Sequence, residues 1–445
     1  MILKELFQQP KAVFMLICVQ MWNRFSHYGM RALLVLYMVK MLGLGAPAAL
    51  GIYAVYCGLV ELGGIFGALL ARRVLGLRRA VMTGGWLIGI GHLLLAAQEI
   101  WVIPYGFFIA LGFVVVGSSL YSTNLSALIG SCYELEDPRR EQGFTLFYMG
   151  INAGAFVATL LCGFLAETYG WQWGFGVAAI GMLIANLTIW GFRRLLNGRG
   201  EAPALIEKRD KMLVVPALAG ALGVASLAMG MQHIFSPLLP YLAAAALVLL
   251  GIHLWRTQVA GRALLKRLFL ALGGLTLFFT AEEQIGSSLL LFTQQTAILA
   301  MNPLVIILGG ALATLILRKV ASPALKSLLP FILGAVAFAV IGVIPGVGTS
   351  IAVVGMISFA ELLIGPTVYS QCSKATDALK DPKVMALVPL GFALAASLAG
   401  PVSKAVVANY ALGFSGIGAG LLLGGLLLSY FLRERGRDQP VHSLD

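Results

Sequence analysis

Two arginines seven residues apart, Arg24 and Arg31, stand inside an apolar stretch that runs ICVQMWNRFSHYGMRALLVLY over residues 17–37. A guanidinium in hydrocarbon costs roughly 2.5–3.5 kcal/mol on insertion scales, so it normally faces a cavity or a partner. The seven-residue spacing returns both to one face of a helix. They are either a structural ion pair and snorkelling cations, or the wall of a polar, water-filled pathway. With no acid on that helix face, the second reading is favoured. Carboxylates are set in apolar surroundings too: Glu283 after the run LTLFFTAE, Glu361 after GMISFA, and Glu61 within LVELGG. Glu282 points about 100° away from Glu283, where an interface or helix-packing role is as natural as a functional one. His27 is either a titrating group or a hydrogen-bonded packing residue. The chemistry open to such a set is reversible ion pairing and proton exchange. No phosphate loop, metal-ligand spacing or cofactor motif accompanies it. The five cysteines (18, 57, 132, 162, 372) form no CxxC pair and read as small core residues.

These groups need a scaffold that spans lipid. The chain has 445 residues, 59% of them hydrophobic and 11% charged, with mean hydropathy +0.91, which excludes an ordinary soluble domain. About 20 apolar residues cross a bilayer, and fourteen such stretches lie between residues 13 and 432. Residues 1–11 are too polar, and the next stretch too long, for a cleaved leader, so the first span is expected to be its own insertion signal. A net charge of +12 could indicate nucleic acid. Yet all Lys and Arg except Arg24, Arg31, Lys40 and Lys404 fall into alternate loops when both termini are placed in the cytoplasm. The positive-inside rule therefore explains the charge and predicts that topology, with no nucleic-acid partner. The expected organisation is an N-terminal six-helix bundle (1–192), a linker with two extra membrane helices at 212–231 and 238–255 (193–267), a C-terminal six-helix bundle (268–432) and a tail (433–445).

Six spans, a basic linker and six more spans fit the major facilitator superfamily, whose halves are parallel repeats. The segment GALLARRVLGLRR (67–79) resembles that superfamily's loop motif, with Ala71 where an Asp is usual, so the family's charge network at that gate is expected to be weakened. More specific motifs follow in order. NRFSHYGMR (23–31) is similar to the first-helix signature of proton-coupled oligopeptide transporters. FYMGINAG (147–154), with Gly170-Trp171 and Gly174-Phe175, resembles their fifth-helix signature. EQIGSS (283–288), Asn302-Pro303 and AELLIGP (360–366) resemble the seventh, eighth and tenth. The chain is thus identified as a divergent member of that family, with an all-α major facilitator fold of 12 core transmembrane helices plus 2 extra helices between the halves.

The departures are as informative. Where the family has ExxER, this chain has Gln20-Met21-Trp22-Asn23-Arg24. The fourth-helix lysine of the family pattern is Ser122 here. Losing one acid alone would strand a buried cation at a cost of several kcal/mol. Losing two acids and one lysine together reads as concerted retuning. The resemblance implies that Arg24 and Arg31 face a substrate carboxylate, and that Glu361, Asn152 and Asn302 receive the amino group of a peptide. Tyr28, Tyr37, Tyr53 and Tyr56 are candidate cavity-lining hydroxyls, individually uninformative, with Tyr28 taken as a substrate-binding candidate. The resemblance also implies that Glu283 couples protons or gates; Glu61, which lies outside the family pattern, and His27 are further candidates from their own positions in apolar spans. Glu61 is either a replacement partner for an arginine or an acid near the membrane edge. The expected function is proton-coupled symport of di- or tripeptides or peptide-like compounds, not enzymatic catalysis. The alternative is transport, in either direction, of an anionic non-peptide such as a polycarboxylate siderophore or acidic metabolite. The expected location is the cell (inner) membrane.

Overall fold

The computed structural model describes residues 9–98, 101, 105–134, 137, 139–202, 208–319, 323–379, 381, 384 and 386–434. Lys4, Lys380, Lys383, Arg435, Arg437 and most of the predicted tail lie outside them. Each predicted apolar stretch is a helix: α1 Lys11–Lys40, α2 Ala46–Leu70, α3 Gly76–Ala97, α4 Gly106–Gly130, α5 Arg139–Tyr169, α6 Trp171–Gly191, α7 Lys208–Gly230, α8 Gln232–Thr257, α9 Arg262–Thr293, α10 Met301–Lys319, α11 Pro323–Val343, α12 Val347–Leu379, α13 Leu387–Ala408 and α14 Tyr410–Glu434. Among the described residues, eleven continuous helical segments are long and apolar enough to cross a membrane, α2 and α3 forming one of them. The helix α1 is not among them; Gln20, Asn23, Arg24, His27 and Arg31 interrupt its apolar character.

The chain divides into two compact units, Met1–Phe235 and Ser236–Asp445. In the first, α1 packs on α5 and α6, α3 on α4 and α6, α2 on α4, and α5 on α6. In the second, α9 packs on α13 and α14, α11 on α12 and α14, α10 on α12, and α13 on α14. Adding eight to each helix number of the first set gives the second, so the two units repeat one packing plan. The two extra helices are divided between the units. α7 lies against α4 and α2, whereas α8 packs on α9 through Leu254 and through Gly251 against Phe269.

Small residues permit the tightest crossings, as membrane helices require. A Cβ added at Gly84 of α3 would lie 2.6 Å from the carbonyl oxygen of Gly117 on α4, and one added at Gly117 would meet Gly84 at the same distance. Backbone cannot yield there as a flexible side chain does. Gly84→Val should cost ~1–3 kcal/mol, read as a lowered melting temperature in detergent. Gly176→Ala is the control, because its new methyl meets nothing within 4 Å.

Between α2 and α3 a π-helical turn, Ala71–Leu75, ends at Gly76 with φ +73°. That turn is held by the segment after α6. Arg78 pairs with Glu201 at 2.8 Å, and its amide donates to the Gly200 carbonyl (2.9 Å). A Cβ at Gly76 would fall 2.5 Å from the Glu201 backbone. At the other end of α4, the Tyr133 hydroxyl donates to Gln9 (2.7 Å). Burial, with Cys132 and Asp137 beside it, pushes that phenol up to about 12, which keeps it a neutral donor.

Candidate functional site

In the first unit, Gln20 and Asn23 are buried on α1, and the Asn23 amide donates to the Gln20 side-chain carbonyl at 3.3 Å. The pair that stands where the family has two acids is therefore joined by a hydrogen bond, as neutral amides of similar shape can be. Arg24, on the next residue, is partly buried, and its Nε is buried with no hydrogen-bond partner among the described residues. Within its electrostatic reach are Tyr56 of α2 and Tyr121 of α4, both fully buried and both with unpartnered hydroxyls. Buried polar atoms are normally paired, so a cluster of three that are not is an unusual concentration of unused donors and acceptors.

Arg31 is placed differently. Its Nε donates to the Tyr53 hydroxyl at 2.6 Å and its guanidinium lies 5.5 Å from the Tyr53 ring centre. A guanidinium stacked and bonded in this way is held in one orientation. The His27 and Tyr28 rings meet edge to face at 5.3 Å. Glu61 is exposed on α2 and, like Arg31, acts on Tyr56 electrostatically. Ser122 is half-buried beside Tyr121. Asn152 is buried on α5, and its amide donates to the Tyr148 carbonyl one turn earlier (3.0 Å), so that donor is already engaged.

Sequence reasoning set Tyr53 and Tyr56 aside as individually uninformative hydroxyls and passed over Tyr121 and His92. His92 on α3 is buried and shares a 2.8 Å hydrogen bond with Ser26 of α1, tying two helices of the arginine-bearing unit. A lone His in an apolar run carries no signal of its partner, which lies 66 residues away.

In the second unit, Asn302 and Glu361 come together. The Asn302 amide on α10 donates to Glu361 Oε2 on α12 at 2.8 Å. Glu361 is half-buried on α12, and the amide orients its carboxylate. Glu283 stands where α9 changes its winding, just before a π-helical turn at Ile285–Leu289. Such turns widen the helix and recur at functional positions. A polar zipper between α9 and α13 fixes this one. Ser288 and Ser403 donate to the Gln284 side-chain oxygen (2.8 and 2.7 Å), and the Ser287 and Ser403 hydroxyl oxygens lie 2.9 Å apart. The Gln284 amide donates to the carbonyls of Thr280 and Ala399. Ser287 also donates to the Glu283 carbonyl (2.7 Å), which fastens the Glu283 backbone to the turn. None of these partners was visible in sequence.

Each unit thus supplies one kind of recognition chemistry. The first offers guanidinium and phenol donors suited to a carboxylate or another anion. The second offers a hydrogen-bonded carboxylate suited to a cation.

Repeated six-helix packing and membrane-length helices define an all-α multi-pass membrane fold of the major facilitator type. The POT family model matches residues 78–344. The chain belongs to the POT family. Among curated proteins it is 36% identical over 313 residues to the peptide transporter YePEPT of Yersinia enterocolitica, covering 65% of this chain and 61% of that protein. It is 28% identical over 334 residues to dipeptide and tripeptide permease A of Salmonella typhimurium, covering 70% and 65%. The chain spans less than two thirds of the length of these relatives. Among solved structures, a variant of the peptide transporter POT in complex with alafosfalin matches with TM-score 0.85 at 28% identity, over 96% of this chain and 95% of that one. A POT family transporter in complex with 5-aminolevulinic acid has the same fold, with TM-score 0.85 at 24% identity over 96% of each chain.

Proposed function

We propose that this protein is a proton-coupled symporter of di- or tripeptides or peptide-like compounds, working by alternating access in the cell (inner) membrane with both termini cytoplasmic. The observation that carries the reading is the Asn302–Glu361 hydrogen bond. It joins the two residues of the second unit that the family resemblance assigns to a peptide amine. The relatives named as peptide transporters and permeases support the same cargo. The basic loops support the orientation. Glu283, Glu61 and His27 are the proposed proton-coupling groups, Asn152 a further proposed partner of the substrate's amino group, and Arg24, Arg31 and Tyr28 the proposed partners of its remaining polar groups. A ligand that binds only the folded protein raises its melting temperature by mass action. A thermal-shift screen of purified protein against di- and tripeptides, acidic metabolites and metallophores therefore tests the reading. Peptides are expected to stabilise. A screen in which only metallophores or acidic metabolites do so overturns it.

One observation favours a bias toward anionic groups: the buried Arg24 Nε has no hydrogen-bond partner among the described residues, while Gln20 and Asn23 are hydrogen-bonded to each other. Asn23→Glu sets a carboxylate beside Arg24 and should weaken acidic ligands roughly tenfold, a loss within the range of one charge-assisted hydrogen bond. Restoring Gln20→Glu, Asn23→Glu and Ser122→Lys together should weaken acidic ligands less than Asn23→Glu alone, and should strengthen the pH dependence of peptide uptake. Calorimetry in detergent at two salt concentrations checks the affinities. Equal binding of acidic ligands to the natural and the restored protein removes the anionic reading.

A further inference from the structure

A cleft of about 750 Å³ opens between the extra helix α8 and the helices α9 and α13 of the second unit. Its walls are apolar: Ile252 on α8, Phe269 and Leu277 on α9, Leu394 and Val402 on α13. Thr276 and Thr280 also line it, but their hydroxyls donate to the carbonyls of Gly391 (3.3 Å) and Thr276 (2.7 Å), so they make no demand on an occupant. The α8 wall runs from Leu247 to Arg256, about 14 Å of helix. That is close to one leaflet of a hydrocarbon core ~30 Å thick.

One end of the cleft is strongly basic. Arg256 lines it and is exposed. Trp255, also in the lining, is flanked by Arg262 and Lys266, whose charges lie 5.1 and 5.5 Å from its ring centre. Arg262 is further pinned by donating to the Trp255 carbonyl (3.1 Å). From Arg256 to Arg267 the sequence RTQVAGRALLKR holds four cations and no acid. Asp381 meets this turn, accepting from Gln258 at 3.5 Å, and leaves the cations in excess.

We propose that the cleft is a binding site for one anionic phospholipid, its acyl chain between α8 and α9 and its phosphate on Arg256 and Lys266. An apolar slot one leaflet deep that ends in cations and an indole has the two chemistries of such a lipid in the right order. Indole and long basic side chains are the usual residues at the level of headgroups. The site is separate from the residues proposed for cargo and does not depend on the cargo's identity.

Native mass spectrometry of the full chain in detergent, titrated with phosphatidylglycerol or phosphatidylethanolamine, tests it. Phosphatidylglycerol should bind at one site at least tenfold more tightly than phosphatidylethanolamine. Arg256→Gln with Lys266→Gln should weaken it about 30-fold, the factor expected from two basic residues at an anionic headgroup. Gly273→Leu fills the cleft while leaving every charge in place. A Cβ at Gly273 meets nothing within 4 Å, so the variant should fold, and it should also lose the bound lipid. Glycerol phosphate, which carries the headgroup without the chain, should not compete. Equal binding of the two lipids, unchanged binding to the Gly273→Leu protein, or full competition by glycerol phosphate would each overturn the proposal. The last would leave a surface phosphate site only.

Discussion

Replacing Glu361 by glutamine is expected to abolish peptide-dependent uptake while leaving the protein folded and inserted. Glutamine keeps the shape of the side chain and retains an oxygen for the Asn302 amide, which now donates to Glu361 at 2.8 Å. What disappears is the negative charge that would face an ammonium group at a half-buried position. A hydrogen bond to a charged partner contributes about 1.5–3 kcal/mol. A cation left without its counter-charge loses more. Together these set an expected fall in affinity for amine-bearing peptides of about 100-fold. The measurement is uptake of labelled dipeptide into proteoliposomes, with the melting temperature as the control for folding. Peptides lacking a free amino group should lose far less, since they do not engage the charge. Unchanged uptake of ordinary dipeptides would remove the peptide reading.

Glu283→Gln should separate two activities that the natural protein performs together. Exchange of labelled for unlabelled substrate needs only that both orientations bind it. Accumulation needs a group whose protonation is linked to the change of orientation. Glu283 adjoins a π-helical turn whose backbone is fastened to α13 by Gln284, Ser287 and Ser403. Its carboxylate therefore sits next to a place where winding and interhelix contact change together. A one-unit pH gradient sustains at most about tenfold accumulation for one proton per substrate. In the variant that ratio should fall to about one, with counterflow preserved. pH-driven accumulation that persists would transfer the role to Glu61, Glu361 or His27.

The positions of the helices were legible because bilayer thickness sets a minimum length that composition reveals residue by residue. Arg24, Arg31, Glu283 and Glu361 were legible because charge in an apolar run has few cheap explanations. The motif order pointed to the POT family, whose family model matches residues 78–344. Sequence did not reveal contacts that join distant residues of ordinary type. Ser403 reaches Gln284 across 119 positions, and Ser26 reaches His92 across 66. A serine in a membrane helix usually bonds back to its own turn, as Ser358 does to Val354. Nothing local distinguishes the exceptions. The π-helical turns at Ala71–Leu75 and Ile285–Leu289 were hidden for the same reason, since helical propensity is alike on both sides of them. The pinned Arg31 and the unpartnered Arg24 Nε have nearly the same sequence surroundings. Only the position of Tyr53 on α2 separates them.

The division of the chain at Phe235 bears on how the protein is made. The helices α1–α7 precede α9–α14, with α8 beginning at the boundary, and each unit has its own internal packing plan. Synthesis therefore completes the sequence of the first unit before the helices α9–α14 are made. Domains that finish early fold as units during synthesis. Biogenesis of this protein accordingly reduces to two successive assemblies of similar size, with the first turn of α8 as the joint between them.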